Sequence, residues 1–390
     1  MRHIAVQERR ARLAVRHCLA DRARTDDVVA ITDGLVALHA TDPATVFLSA
    51  AARMRSPSVE PLERALYEDR VLVRALGMRR TMFVLPVPMV PVVQAACTDA
   101  LVPGERRRTL AMLEENGVPD ADRLLRELEE ETLAAVEAQG EATGAELSRL
   151  VPGLRRQLLV GRGKKWEGTI GLTTRVLFLL ATEQKIVRGR PKGGWTSSQY
   201  RWSPMSSWLP DSAAPMPADE ARIVLARRWL RSFGPAGVAD LKWWSGLTLG
   251  QVRNALAALD VADVDLDGAP GIALADDLEP TSPPAPWVAL LPSLDATTMG
   301  WQQRRWYLGD HGKALFDTNG NAGPTVWSDG RVVGGWAQRK SGEVVFRLLE
   351  DVGIAAAEAV AAEAARLTEW LGDVRVTPRF PTPLQKELSR

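Results

Sequence analysis

The sequence predicts a mainly helical α+β protein made of helical units that each close on a short two-stranded ribbon. Three observations lead there. Stretches with helical apolar period alternate with β-branched runs around Gly/Pro turns. That outline occurs three times, with no fixed-period sequence repeat. After Pro283–Pro284 the texture becomes strand-like, with SDG and KSG turns. The expected divisions are 1–103, 104–210, 211–284 and 285–390.

Residues 6–23 read as a basic amphipathic helix and 26–40 as a second, starting at Thr25 or Asp26. PATVFLSAAARM (43–54) is a third, with Asp42 as its cap and Pro43 at its first position. Residues 58–68 give a fourth, capped by Ser58. VLVRALGMRRTMFVLP (71–86) is the ribbon. Helices followed by such a ribbon outline a winged helix. In the second unit, helices are expected at 105–117, 120–139, 144–152 and 169–184, and a ribbon at 185–202. In the third, helices at 217–232, 236–245 and 247–259 precede a hairpin. A small antiparallel β-unit follows, then an Ala-rich helix at 354–371 and a last strand at 374–380.

The chain has 390 residues, with 49 Lys+Arg against 48 Asp+Glu. At 46% hydrophobic and 25% charged it is the composition of a folded domain, not a disordered one. Cys18 and Cys97 are too few for a disulfide framework, so buried free thiols are expected. The N-terminal stretch lacks a secretory h-region, and no run approaches the ~18 apolar residues of a membrane span. A cytoplasmic location is expected. The near-neutral total hides segregation. Residues 151–201 hold eleven basic groups against Glu167 and Glu183, whereas 254–303 hold no Lys or Arg at all. A polyanionic partner on one face is therefore admissible.

No P-loop, GxGxxG, HExxH, GxSxG or metal-spaced Cys/His group is present, so no cofactor and no metal are expected. Four segments remain as candidates. In GLVALHATDPATVFLS (34–49), His39, Thr41 and Asp42 flank a junction between two apolar helices; the competing reading is a pair of helix caps. Arg74, Arg79 and Arg80 in the first ribbon suit phosphate contact or a solvated wing. Arg162, Lys164, Lys165 and Trp166, with Arg188, Arg190, Lys192 and Trp195, interleave cations and indoles in Gly-rich loops. Such loops follow a nucleic-acid backbone. Trp301, Arg304, Arg305, Asn319 and Asn321 fall in a dense aromatic and turn-rich run, 299–327.

Together these segments resemble the winged-helix proteins related to the AlkZ and YcaQ bacterial DNA glycosylases. The resemblance covers most of the chain. Its most specific parts are LVALHATDPATVFLSAAARM (35–54), VRALGMRRTMFVLP (73–86) and 290–338. It implies three tandem winged helices in a C-shaped body with a β-barrel-like element near the C-terminus. It also implies removal of bulky or crosslinking N-alkylated purines from duplex DNA. The family's site centres on a Gln–apolar–Gln or Gln–apolar–Asp motif that holds a water near the sugar. The matching positions here are His39-Ala40-Thr41: both polar, neither Gln.

An N7-alkylated guanine is already cationic, so its glycosidic bond breaks through an oxocarbenium-like transition state. On this reading neutral His39 takes a proton from the water, Thr41 orients it, and Asp42 stabilises the sugar cation. The expected partner is double-stranded DNA with alkylated bases, bound by a monomer without membrane involvement. The alternative is a non-catalytic winged-helix DNA binder, a regulator or lesion sensor. An RNA-binding role is a further class. All 13 Trp lie at or after Trp166, so the indoles are expected to form packing and DNA-facing walls.

Overall fold

The structure, a computed structural model, describes residues 1–210 and 215–390. It is a mixed α+β fold, mainly helical with small sheets. The expected start of the third unit, at 211, lies outside the described residues.

Three small sheets share one plan. In the first, Leu38–His39 pairs antiparallel with Met82–Pro86, which pairs with Leu72–Leu76. In the second, Ala142–Thr143 pairs with Tyr200–Pro204, which pairs with Ile186–Pro191. In the third, Ala236 bridges to Ile272 on the outer strand of the hairpin Val261–Leu266/Ala269–Leu274. Each short extended segment leads directly into a helix: Pro43–Ala51, Gly144–Leu150 and Val238–Ser245. The third sheet gains an element with no counterpart. Arg2–His3 pairs in parallel with Val264 and Asp265, so the N-terminus is tied to the third unit.

Several expectations need correction. The 26–40 helix ends early, at Gly34, and is capped by the Asp27 carboxylate rather than by Thr25 or Asp26. Val36 takes a positive φ of 64°, and the chain then turns into the Leu38–His39 strand, so His39 caps no helix. The 6–23 helix ends at Arg16, before Cys18 at φ 54°. Ser58 caps nothing; its hydroxyl binds the Glu60 carboxylate. Residues 372–382 form no strand, and a helix, Pro383–Leu388, follows them. The basic segment around 161–168 is not a loose loop but the tip of a hairpin, Gln157–Val160 with Gly168–Gly171. The helical run Val87–Glu115 passes through the expected division at 103. By length and composition it is long enough to cross a membrane, yet its Val90, Val92 and Val93 are buried in the core. Cys18 and Cys97 are free thiols, each only half-buried.

The C-terminal β-unit is a four-stranded antiparallel sheet in linear order, Val288–Leu291, Thr325–Ser328, Arg331–Gln338 and Val344–Leu348. The helix Ile354–Leu371 packs across it. Helix Pro43–Ala51 joins this sheet to the first unit, and all nine of its residues are buried. Ala44 and Leu48 pack with Leu290, Val326 and Trp336, while Val46, Phe47 and Ala50 belong to the central core. A helix that is apolar all round has to be enclosed on every side. Polar pins fix its rotation. Thr45 Oγ1 donates to the Ser293 carbonyl at 2.8 Å, and Ser49 Oγ donates to Asp295 Oδ2 at 2.7 Å. Arg53, just past the helix end, forks onto the same carboxylate at 2.8 and 2.9 Å.

Candidate active site and nucleic-acid interface

The Pro43–Ala51 helix presents its N-terminal turn to a cleft of about 690 Å³ between the first and second units. Thr41 and Pro43 form one wall, and Ser148, Thr173, Tyr200 and Arg188 line the other side. Thr41 and Tyr200 both line this cleft, and their hydroxyls, buried just behind its surface, have no hydrogen-bond partner among the described residues. Leaving such a group unpaired costs about 1–3 kcal/mol, so an unpaired pair beside a cleft marks a place for a water or ligand. Tyr200 went unnoticed in the sequence because nothing local distinguishes it from a strand residue of the ribbon.

His39 and Thr41 are adjacent, as expected, but their roles divide. His39 is buried on its short strand, edge-on to Phe83 at 5.1 Å, and does not line the cleft. Its Nδ1 accepts the Thr41 backbone N–H at 3.4 Å. Burial pushes its pKa down to about 3, Arg79 lowers it further and Asp295 opposes. The imidazole is therefore neutral, but the lone pair that a general base would use already holds the turn. Asp42 is also committed. Its Oδ1 caps the Ala44 N–H at 3.1 Å and its Oδ2 accepts the Arg379 N–H at 3.0 Å. Burial raises its pKa, against those two N–H groups. The capping reading holds for Asp42, and each of its carboxylate oxygens is engaged by a backbone N–H.

The basic candidates separate into three groups. Arg162, Lys164, Lys165 and Trp166 sit exposed at the tip of the 157–171 hairpin. Trp166 is 64% exposed and folds over Gly161, whose φ of 67° and lack of a side chain make room for the indole. Arg188 and Lys192 line the cleft. Arg188 lies 5.3 Å from the Tyr200 ring and 5.2 Å from Trp202. Burial lowers its pKa, and Arg74 and Arg379 lower it further. On the other flank, Arg79 and Arg304 both lie over the Trp243 ring, at 4.1 and 4.9 Å.

The remaining candidates are placed by the structure in packing or pairing roles. Arg74 is only 4% exposed and donates to Tyr67 OH at 2.5 Å, so it is not a surface phosphate contact. Arg80 forks onto Glu105 at 2.6 and 2.9 Å. Arg190 pairs with Glu63 and Glu68 at 2.8 and 3.0 Å. Arg305 pairs with Asp310 at 3.1 Å. Trp195 is wedged between Phe47 and Trp370. Trp301 is 2% exposed and donates to the Phe233 carbonyl. Asn319 and Asn321 close a turn on the Asp317 carboxylate, which supports the plain β-turn reading. Among the described residues, no group of three or more His, Cys, Asp or Glu could hold a metal.

A helical body with small ribbons, a basic cleft and an exposed basic hairpin suits a protein that works on a polyanion. Residues 32–370 match the family model of the AlkZ-like DNA glycosylases, and the chain belongs to that family. The family makes it a DNA glycosylase and sets aside the non-catalytic regulator. In fold it is similar to the solved structure of Streptomyces sahachiroi DNA glycosylase AlkZ, with a TM-score of 0.73 at 22% identity. That match covers 97% of this chain and 99% of the other. No curated protein sequence matches significantly.

Proposed function

We propose that this glycosylase hydrolyses the N-glycosidic bond of bulky N-alkylated purines, including crosslinked ones, in duplex DNA. The unpaired Thr41 hydroxyl, buried at the edge of the cleft that Thr41 lines, carries the reading. Thr41 touches the water, and His39 positions Thr41 by accepting its N–H. The C1′–N9 bond breaks with its electron pair leaving on the cationic base, which departs neutral. The water oxygen bonds C1′, and its proton passes to solvent. Little general-base help is needed when the leaving group is already charged. Tyr200 OH holds the other side of the water or the base edge.

A cleft of about 690 Å³ with an open mouth accommodates a large adduct. The three helix–ribbon units act as winged helices over 1–103, 104–210 and 211–284, arranged as a C around the duplex, with 285–390 as a β-rich element beside them. Arg162, Lys164, Lys165 and Trp166 reach a groove, while Arg188, Lys192, Arg79 and Arg304 hold backbone on either flank of the turn. One chain builds the whole site, so a monomer suffices. The test is base release from a panel of duplexes carrying N7-alkylguanines of increasing bulk. Release by the wild type that persists unchanged in Thr41→Ala overturns the assignment.

A further inference from the structure

Arg379 lies in the irregular stretch after the Ile354–Leu371 helix, far along the chain from the 34–49 segment. Two of its donors reach the catalytic turn. Its backbone N–H binds Asp42 Oδ2 at 3.0 Å, and its Nη1 donates to the Thr41 carbonyl at 3.3 Å. It also lines the cleft, where it joins Arg149, Arg188 and Lys192. Among the described residues Glu146 is the one carboxylate lining that cleft, and it is committed to the Thr143 capping box. Each oxygen of the nearby Asp42 carboxylate accepts one backbone N–H. Arg379 forms no salt bridge among the described residues, and a guanidinium has five donors of which the Thr41 carbonyl takes one. Four cations gathered around a single, already engaged carboxylate favour an anion between them, and DNA supplies phosphodiesters.

We infer that Arg379 is a positioning residue that bridges the Thr41 carbonyl to a phosphodiester of the damaged strand, so that docking of the backbone sets the place of the Thr41 hydroxyl. This role rests on the hydrolytic function proposed for the cleft. The bridge makes the reaction sensitive to strand placement: a phosphate out of position leaves the turn without its outer anchor. Exposed arginines at a groove commonly hold backbone. This one differs because its other contact is the residue proposed to hold the water.

The experiment uses the full chain and Arg379→Ala and Arg379→Lys. Single-turnover base release is read at saturating enzyme, and duplex affinity is read across a salt series. Arg379→Ala is expected to slow release about 10–100-fold, and to lower the salt slope by about 0.9, the value of one neutralised phosphate. Arg379→Lys restores the slope but not the rate, because an ammonium lacks the fork that spans carbonyl and phosphate. A methylphosphonate placed in turn at each position near the lesion should slow the wild type at one position and be silent there in Arg379→Ala. An unchanged salt slope, a full rate in Arg379→Lys, or no methylphosphonate position that depends on Arg379 overturns the inference. If the wild type releases no base at all, the hydrolytic reading and the positioning role both fall, while the salt slope still decides the phosphate contact. Because Asp42 is held by the backbone of residue 379, both variants keep that anchor.

Discussion

Arg53 and Asp295 face each other with no exposed side-chain surface, joined by Nη1 at 2.9 Å and Nη2 at 2.8 Å. The surrounding groups complete the pair. Ser49 donates to Asp295, the Thr297 N–H donates to it as well, and the His17 carbonyl and Thr297 hydroxyl accept from Arg53. This cluster fastens the helix that follows the Thr41–Asp42 turn to the segment leaving the Val288–Leu291 strand. Arg53 and these hydrogen bonds hold the Asp295 pKa down against burial.

Breaking that pair on one side should be severe. Asp295→Asn leaves a buried guanidinium uncompensated and should cost about 3–5 kcal/mol. The double variant Arg53→Met with Asp295→Leu should lose less, since no lone charge remains. Urea unfolding of both decides it; equal losses would mean that the pair acts only through its packing volume.

Thr41 should affect rate and not affinity. Thr41→Ala is expected to lower single-turnover base release about 100-fold, a loss comparable with removal of one preorganised hydrogen-bonding group. Duplex affinity should stay within about twofold. Thr41→Ser, which keeps the hydroxyl, should retain most of the rate. Tyr200→Phe should give a smaller loss of the same kind. A Thr41→Ala defect confined to affinity would place the residue in DNA binding alone.

Acid should weaken the fold through two buried histidines. His17 and His39 both have pKa values pushed down to about 3, first by burial. Their unfolded values lie near 6.5, so below that the unfolded chain binds protons the native chain does not. Stability is fully present above about pH 6.5 and falls as pH drops towards 3, by about 1.4 kcal/mol per unit for each histidine. Urea midpoints measured from pH 7 to 4 should therefore fall, and less steeply in His39→Asn. The rate of base release should show no ionisation near 6.5. A rate that halves at pH 6.5 and loses that inflection in His39→Asn would restore the general-base role to this histidine.

The 157–171 hairpin should report in salt dependence. Lys164→Ala with Lys165→Ala should lower the slope of log affinity against log salt by roughly 0.9 for each phosphate that a lysine neutralises. Trp166→Ala should cost about 1–3 kcal/mol of affinity if the indole stacks on a base, with little change in slope. Fluorescence of the single exposed tryptophan among the described residues gives an independent reading of its environment on binding.

The architecture was largely visible in the sequence because helix period and turn chemistry are local. Asp42 and Pro43 announced the start of the helix that carries the site, and the structure has that cap. His39 misled because LVALHA has apolar periodicity compatible with a helix, while its strand is specified by pairing with Phe83, more than forty residues away. The basic hairpin was hidden for the same reason, since Gln157–Val160 is too short, and its partner Gly168–Gly171 too Gly-rich, for either to declare itself as a strand alone. Arginines were the least readable. Arg74 and Arg80 sit in one ribbon, yet one is buried against tyrosines and the other is held by Glu105. Exposure depends on neighbours from other units, which no local spacing reveals. Arg379 and Tyr200 were invisible because they act through where the fold delivers them.

The hydrogen bond between Asp42 and Arg379 spans 337 positions of the chain. Translation therefore has to pass residue 379 before the Asp42 turn receives this anchor. Until then the partly made chain carries the basic 157–171 hairpin but not the finished Asp42 turn. Contacts of such sequence separation form late and slowly. A chain stopped before Arg379 would lack this contact, leaving Asp42 Oδ2 without the N–H that it accepts in the finished fold.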